Sequence, residues 1–231
     1  MPDLPAMSAA PTVPITTPVI RVADVTKRYR AAELFHDVTF DIEPGRTYGL
    51  VGPNGSGKTV LLKLLAGLTL PDRGSIAIDP SHLGRDRSYP DRFGITINGP
   101  AYLGHLTGRQ NLLQLAAIRR RIAADRIDTT MAAVGLSPDL KQRVRHYSLG
   151  MKQKLSLAQA LMEHPSVLLL DEPFNALDRT SISTVHGLLQ EQQSLGTTIV
   201  FTSHDSRHIR DLSDVVLEID ARTVTATDTA R

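Results

Sequence analysis

The sequence predicts an α/β fold: a mostly parallel sheet covered by helices, an antiparallel β lobe at the N-terminal end, and a helical insertion. Three observations carry it. The unbroken apolar runs VLLL at 167–170 and TIVF at 198–201 suit parallel strands buried on both faces. An apolar strand at 47–51 runs straight into a glycine-rich loop and then into Val60, Leu61, Leu64, Leu65 and Leu68, spaced for a helix. Beyond Pro100, Leu112, Leu113, Leu115, Ala116 and Ile118 are spaced for one buried helical face.

In chain order, residues 1–18 hold five prolines among small and polar residues and read as a flexible leader outside the fold. Short β-branched runs at 19–22 and 38–42 predict antiparallel strands ending at the Pro44-Gly45 turn. Stretches 74–79 and 93–97 predict further strands. The helical subdomain is placed at about 103–150, within a single domain at about 19–220. The end, 221–231, is Thr- and Ala-rich and is expected to fray.

Composition limits the function classes. With 231 residues and 41% hydrophobic content the chain can bury one sizeable core with a small insertion. The formal charge of +2 gives no long-range field that by itself suggests nucleic acid. The absence of Cys removes disulfides and thiolate metal sites. The longest mostly apolar stretch, 60–70, is far shorter than the ~20 residues of a spanning helix and contains Lys63. A cytoplasmic location is the expectation.

The loop GPNGSGKT at 52–59 (Gly52, Pro53, Asn54, Gly55, Ser56, Gly57, Lys58, Thr59) stands between a strand and a helix, the setting of a P-loop. Glycines there let backbone N–H groups turn toward phosphate oxygens. Lys58 is expected to reach the β- and γ-phosphates of ATP, Thr59 to offer a hydroxyl to Mg²⁺, and the helix to present its positive end. The apolar strand ending in Asp171-Glu172 supplies a carboxylate for the metal, Asp171, and one to polarise the attacking water, Glu172. Together these predict a P-loop nucleotide hydrolase.

YSLGMKQ at 147–153, NALD at 175–178 and TSHD at 202–205 follow in an order similar to the signature loop, D-loop and switch histidine of ATP-binding-cassette (ABC) ATPases. With LTGRQNL ahead of it, YSLGMKQ resembles the bacitracin- or lantibiotic-export type of ATP-binding subunit. The resemblance implies a head-to-tail pair, with two ATP molecules between a P-loop and the partner copy's signature residues Ser148, Leu149, Gly150 and Met151. It implies that His204 bonds the γ-phosphate, that Asp178 links the two sites, and that Tyr29 stacks on adenine. Ser148 also suits an ordinary helix N-cap.

Leu149 and Met151 replace residues of the commoner signature and fit the export subgroup. Asn98 stands where the family usually has Gln, and this subgroup often Glu. Its amide reaches one methylene less, which predicts a weaker metal contact and slower hydrolysis. The Arg119-Arg120-Arg121 run reads as a solvated face or a contact for acidic lipid or a partner. The resemblance further implies a separate transmembrane permease, docked near 98–106, with this chain peripheral on the inner face of the membrane. The alternative is a soluble ABC ATPase acting on ribosomes or DNA, though the duplicated cassettes, coiled-coil insertions and bound zinc of such relatives are not seen in the sequence. A regulator that never hydrolyses conflicts with the Lys58, Asp171, Glu172 and His204 set.

Overall fold

The computed structural model describes residues 17–29, 32–84, 90–99 and 102–229, so most of the expected leader lies outside the described residues. The elements run β1 (Ile20–Tyr29), β2 (Ala32–Ile42), β3 (Thr47–Val51), α1 (Lys58–Leu65), β4 (Arg73–Ile78) and β5 (Phe93–Thr96). They continue with α2 (Gly108–Arg119), α3 (Ala124–Ala133), α4 (Leu149–Leu161), β6 (Val167–Leu170), α5 (Arg179–Ser194), β7 (Thr198–Thr202), α6 (Ser206–Leu212), β8 (Val215–Asp220) and β9 (Thr223–Asp228).

Two sheets form. The smaller is antiparallel in the order β2-β1-β4; the larger runs β5-β6-β7-β3-β8-β9, parallel up to β8. Alternation explains why β6 and the centre of β7, Ile199 to Phe201, are apolar. Val167, Leu169 and Val200 enter a core shared with the β lobe and α1, whereas Leu168, Leu170, Ile199 and Phe201 enter a second core with α4 and α5. With both faces covered, the interior positions of both strands are apolar, and the two buried threonines that bound β7 have their hydroxyls hydrogen-bonded, Thr198 to Gly45 N and Thr202 to Asp171.

The insertion begins at a capping box: Thr107 Oγ1 accepts from Gln110 N, and Gln110 Oε1 accepts from Thr107 N. Asn111 then holds the preceding loop, accepting from Leu103 N at 2.8 Å and donating to Leu103 O at 3.2 Å.

Three expectations change. The last residues do not all fray: Thr223–Asp228 pairs antiparallel along the whole of β8, because its alternating Thr and apolar residues suit an edge strand. β1 and β2 are longer than the predicted runs, since irregular positions at Asp24 (φ 51°) and Asp37 (φ 48°) carry charged residues through the ladder. In the arginine run, Arg119 pairs with Asp91 and Glu163, both at 2.5 Å, and Arg121 pairs with Asp91. Those two guanidinium groups tie α2 to β5 and α4 rather than standing as a free basic face.

Candidate nucleotide site

Strand order places the site. β3 and β6 flank β7 in parallel register, with Leu170 opposite Phe201 and Leu50 opposite Thr202. The loops leaving their C-terminal ends therefore converge on one edge of the sheet, where ligands of open α/β sheets bind. A cleft of about 390 Å³ opens there, lined by Tyr29, Leu34, Asn54, Gly55, Gly57, Lys58, Thr59, Val60, Asp171, Glu172 and His204.

The loop at 52–59 is shaped by its glycines: Gly52, Gly55 and Gly57 have φ of +153°, +82° and +104°. At Gly57 a Cβ would also stand 2.8 Å from Phe35 Cζ. This residue begins α1, whose N-terminus has no side-chain cap, so its first-turn N–H groups have no partner from a capping side chain. Lys58 Nζ folds back onto the loop, donating to Gly52 O at 2.7 Å and Pro53 O at 3.1 Å. Buried Ser56 Oγ has no hydrogen-bond partner among the described residues. The uncapped N–H groups at the start of α1 beside Lys58 form a cradle for an anion with several acceptor oxygens, such as a polyphosphate.

At the sheet edge Thr59 Oγ1 donates to Asp171 Oδ2 at 2.8 Å, and Thr202 Oγ1 donates to Asp171 Oδ1 at 3.0 Å. The hydroxyl of Thr202 also accepts from Glu172 N at 2.7 Å. Glu172 takes a left-handed conformation, φ 50°, that turns its carboxylate into the cleft. Its Oε1 lies 3.2 Å from His204 Nε2 but off the direction of a hydrogen bond, and is buried without a hydrogen-bond partner among the described residues. A carboxylate and a hydroxyl at hydrogen-bond distance are hard oxygen ligands, and so fit Mg²⁺, which takes few protein ligands alongside phosphate oxygens. The described residues hold no group of three or more His, Asp or Glu that would serve as a self-sufficient metal cage.

A protein-family model, ABC transporter, matches residues 35–175. The chain belongs to the ABC transporter family. This ABC chain is 38% identical over 201 residues to an uncharacterized ABC transporter ATP-binding protein, YybJ, of Bacillus subtilis, covering 87% of this chain and 92% of YybJ. It is 32% identical to the bacitracin transport ATP-binding protein BcrA of Enterococcus faecalis over 86% of its own length but only 65% of BcrA's. In fold, it superposes with a TM-score of 0.80 on the dimeric post-hydrolysis ATP-binding cassette MJ0796 bound to ADP and Pi, at 22% identity, covering 92% of this chain and 99% of that one.

Not every residue singled out in the ABC sequence meets in the cleft. Tyr29, Asn54, Gly55, Gly57, Lys58, Thr59, Asp171, Glu172 and His204 do, whereas Gly52, Pro53 and Ser56 do not line it. Ser148 caps α4, accepting from Met151 N at 3.2 Å, while Leu149 is exposed and Gly150 packs against the loop after β6. Asp178 caps α5, where the backbone N–H of Ser181, at 2.8 Å, holds its carboxyl below the ordinary aspartate range. Asn98 is exposed and outside the lining of the cleft, on a left-handed turn with φ 60°, followed by Gly99 at 68°. Asn tolerates that region better than longer amides do.

Two residues here had no assigned role in the sequence. Thr202 bridges Asp171 and Glu172; its only sequence signal is a hydroxyl ending an apolar strand. Gln153, on α4, donates to Glu172 O at 3.1 Å. Nothing in a linear pattern points to that contact.

Proposed function

We propose that the chain is an ATP-hydrolysing subunit of an ABC exporter, pairing head-to-tail with a second copy around two ATP molecules and driving a separate membrane-spanning permease. The observation that carries this reading is the convergence of Lys58, Thr59, Asp171, Glu172 and His204 on one cleft at the sheet edge. On this reading Tyr29 stacks on adenine, and the N–H groups of 52–59 hold the phosphates. Lys58 exchanges its bonds to Gly52 O and Pro53 O for phosphate oxygens, a charge-assisted gain.

Thr59 and Asp171 would hold Mg²⁺, which when bound neutralises charge on the β- and γ-phosphoryl oxygens. Glu172 accepts a proton from the attacking water as its oxygen bonds to the γ-phosphorus and the bond to the ADP oxygen breaks. His204 donates toward the γ-phosphate from its place beside Glu172. Asn98 sits one loop away and needs a change of backbone to reach the metal. Ser148, Leu149, Gly150 and Met151 face the partner copy's nucleotide, where the N-terminus of α4 offers a second anion site, and Asp178 lies at the junction between the two sites.

No described helix is long and apolar enough to cross a membrane. The permease is assigned to a separate protein, with this chain peripheral on the inner membrane face; the name of BcrA, a bacitracin transport ATP-binding protein, supports a transport subunit but does not fix the cargo of this chain. Mg²⁺-dependent ATP hydrolysis by the purified chain, together with co-purification of a multi-spanning membrane protein, is the expected result. Co-purification with ribosomes or DNA instead would favour a soluble ABC ATPase.

A further inference from the structure

Glu172 holds a backbone conformation that side-chain-bearing residues rarely adopt, φ 50°. Three hydrogen bonds fix it. Its N–H donates to Thr202 Oγ1 at 2.7 Å, and its carbonyl accepts from Asn175 N at 3.1 Å, so two of the bonds come from β7 and from the turn that Glu172 itself opens. The third comes from elsewhere: Gln153 Nε2, on α4, donates to the same carbonyl at 3.1 Å.

The position of Gln153 matters because of what precedes it on that helix. Ser148 caps α4 and Gly150 lies in its first turn. A Cβ on Gly150 would stand 2.6 Å from Ala176 O, so the backbones meet there directly. Ala176 is itself left-handed, at φ 60°. The first two turns of α4 thus grip the loop between β6 and α5 at two points, Gly150 on Ala176 and Gln153 on Glu172. Gln153 lies five positions after Ser148, about 7.5 Å along a rigid axis. A displacement at the signature end of α4 is therefore delivered to the carbonyl of Glu172 rather than absorbed between them.

We propose that Gln153 is a positioning residue for Glu172, and that its hydrogen bond transmits engagement of the α4 signature end by the partner copy's nucleotide to the chain's own hydrolytic carboxylate. Each chain of the pair then couples the two ATP sites: the site it completes with α4 and the site it serves with Glu172. This rests on the head-to-tail reading above.

The test uses the full chain with Gln153→Met, which keeps length but removes the donor, and Gln153→Arg, which retains one. Hydrolysis is measured against ATP concentration. The Met variant is expected to lose about tenfold in kcat, a misplacement effect, with KM within about twofold of the parent and a Hill coefficient closer to one. The Arg variant should recover most of the rate. An unchanged kcat in the Met variant, or a loss confined to KM, overturns the proposal. If the parent itself does not hydrolyse ATP, the reading under Proposed function fails separately, and hydrogen exchange over residues 172–178 then decides. Faster exchange in the Met variant supports the Gln153 restraint, and equal exchange overturns it.

Discussion

Thr202→Val removes one hydroxyl that serves two groups. In the parent, Thr202 Oγ1 accepts from Glu172 N at 2.7 Å and donates to Asp171 Oδ1 at 3.0 Å, in a side chain with 0% exposure. Val has nearly the same shape, so the core around β7 is not emptied. Leaving the amide unsatisfied costs about 1–3 kcal/mol, and losing a hydrogen bond to a charged group costs about 1.5–3 kcal/mol. Both losses share one atom and the strand end can relax, so the expected total is about 3 kcal/mol rather than their sum. For a chain of this size each kcal/mol lowers Tm by about 2–4 °C, which gives a loss of about 6–12 °C in thermal unfolding. Hydrolysis should fall with it, because Glu172 loses its hold on β7. Thr202→Ser keeps the hydroxyl and sacrifices one methyl, about 1 kcal/mol. A Val variant that melts within about 2 °C of the parent, or a Ser variant that costs as much as Val, would show that the Thr202 hydroxyl does not hold the strand end.

Two histidines and the turn at Asn98 make further effects measurable. Burial pulls both His82 and His208 below the ordinary histidine value of 6.5. His82 Nδ1 lies 2.9 Å from Ser166 Oγ, and His208 stacks on Phe174 with ring centroids 4.0 Å apart. The folded state then binds fewer protons than the unfolded chain as pH drops below about 6.5, so their contribution is complete above that pH and is lost as pH falls through the folded values. Tm should be lower at pH 5.5 than at pH 7.5 (conditions placed about one unit either side of the unperturbed value). The double variant His82→Asn, His208→Phe should flatten the difference; an unchanged slope would assign it to other groups. Asn98→Gln adds a methylene at a φ of 60°, and is expected to raise turnover while losing about 1 kcal/mol of stability to the left-handed backbone. Unchanged turnover would remove the reach of this side chain as a limit on the rate.

The parts legible in the sequence were those whose physics is local. A phosphate loop needs glycines, a lysine and a hydroxyl within eight consecutive positions, so 52–59 declares itself, and β6 and β7 appear as apolar runs because both sheet faces are covered. Ser148 was readable as an N-cap for the same reason: the accepting hydroxyl and the donating N–H of Met151 lie three residues apart. Other features depend on distance in the chain. Thr202 meets Asp171 only because β6 and β7 pair in register, and Gln153 meets Glu172 only because α4 crosses the end of β6. The arginines of 119–121 look solvated in one dimension, yet Arg119 and Arg121 find Asp91 some 30 residues away. β9 was hidden because an exposed edge strand of Thr and Ala has the composition of a loose tail, and only its ladder with β8 distinguishes the two.

In the proposed mechanism Glu172 drives hydrolysis inside an ATP-closed pair of chains. The most direct measurement follows the oligomeric state and ATP turnover of the parent and Glu172→Gln chains, each with and without ATP and Mg²⁺. The Gln variant is expected to lose at least about a hundredfold in turnover, to bind ATP still, and to become a dimer only when ATP is present, while the parent hydrolyses ATP and dimerises transiently. Turnover by the Gln variant at the parent's rate, or an ATP-bound Gln variant that remains monomeric, would contradict this mechanism.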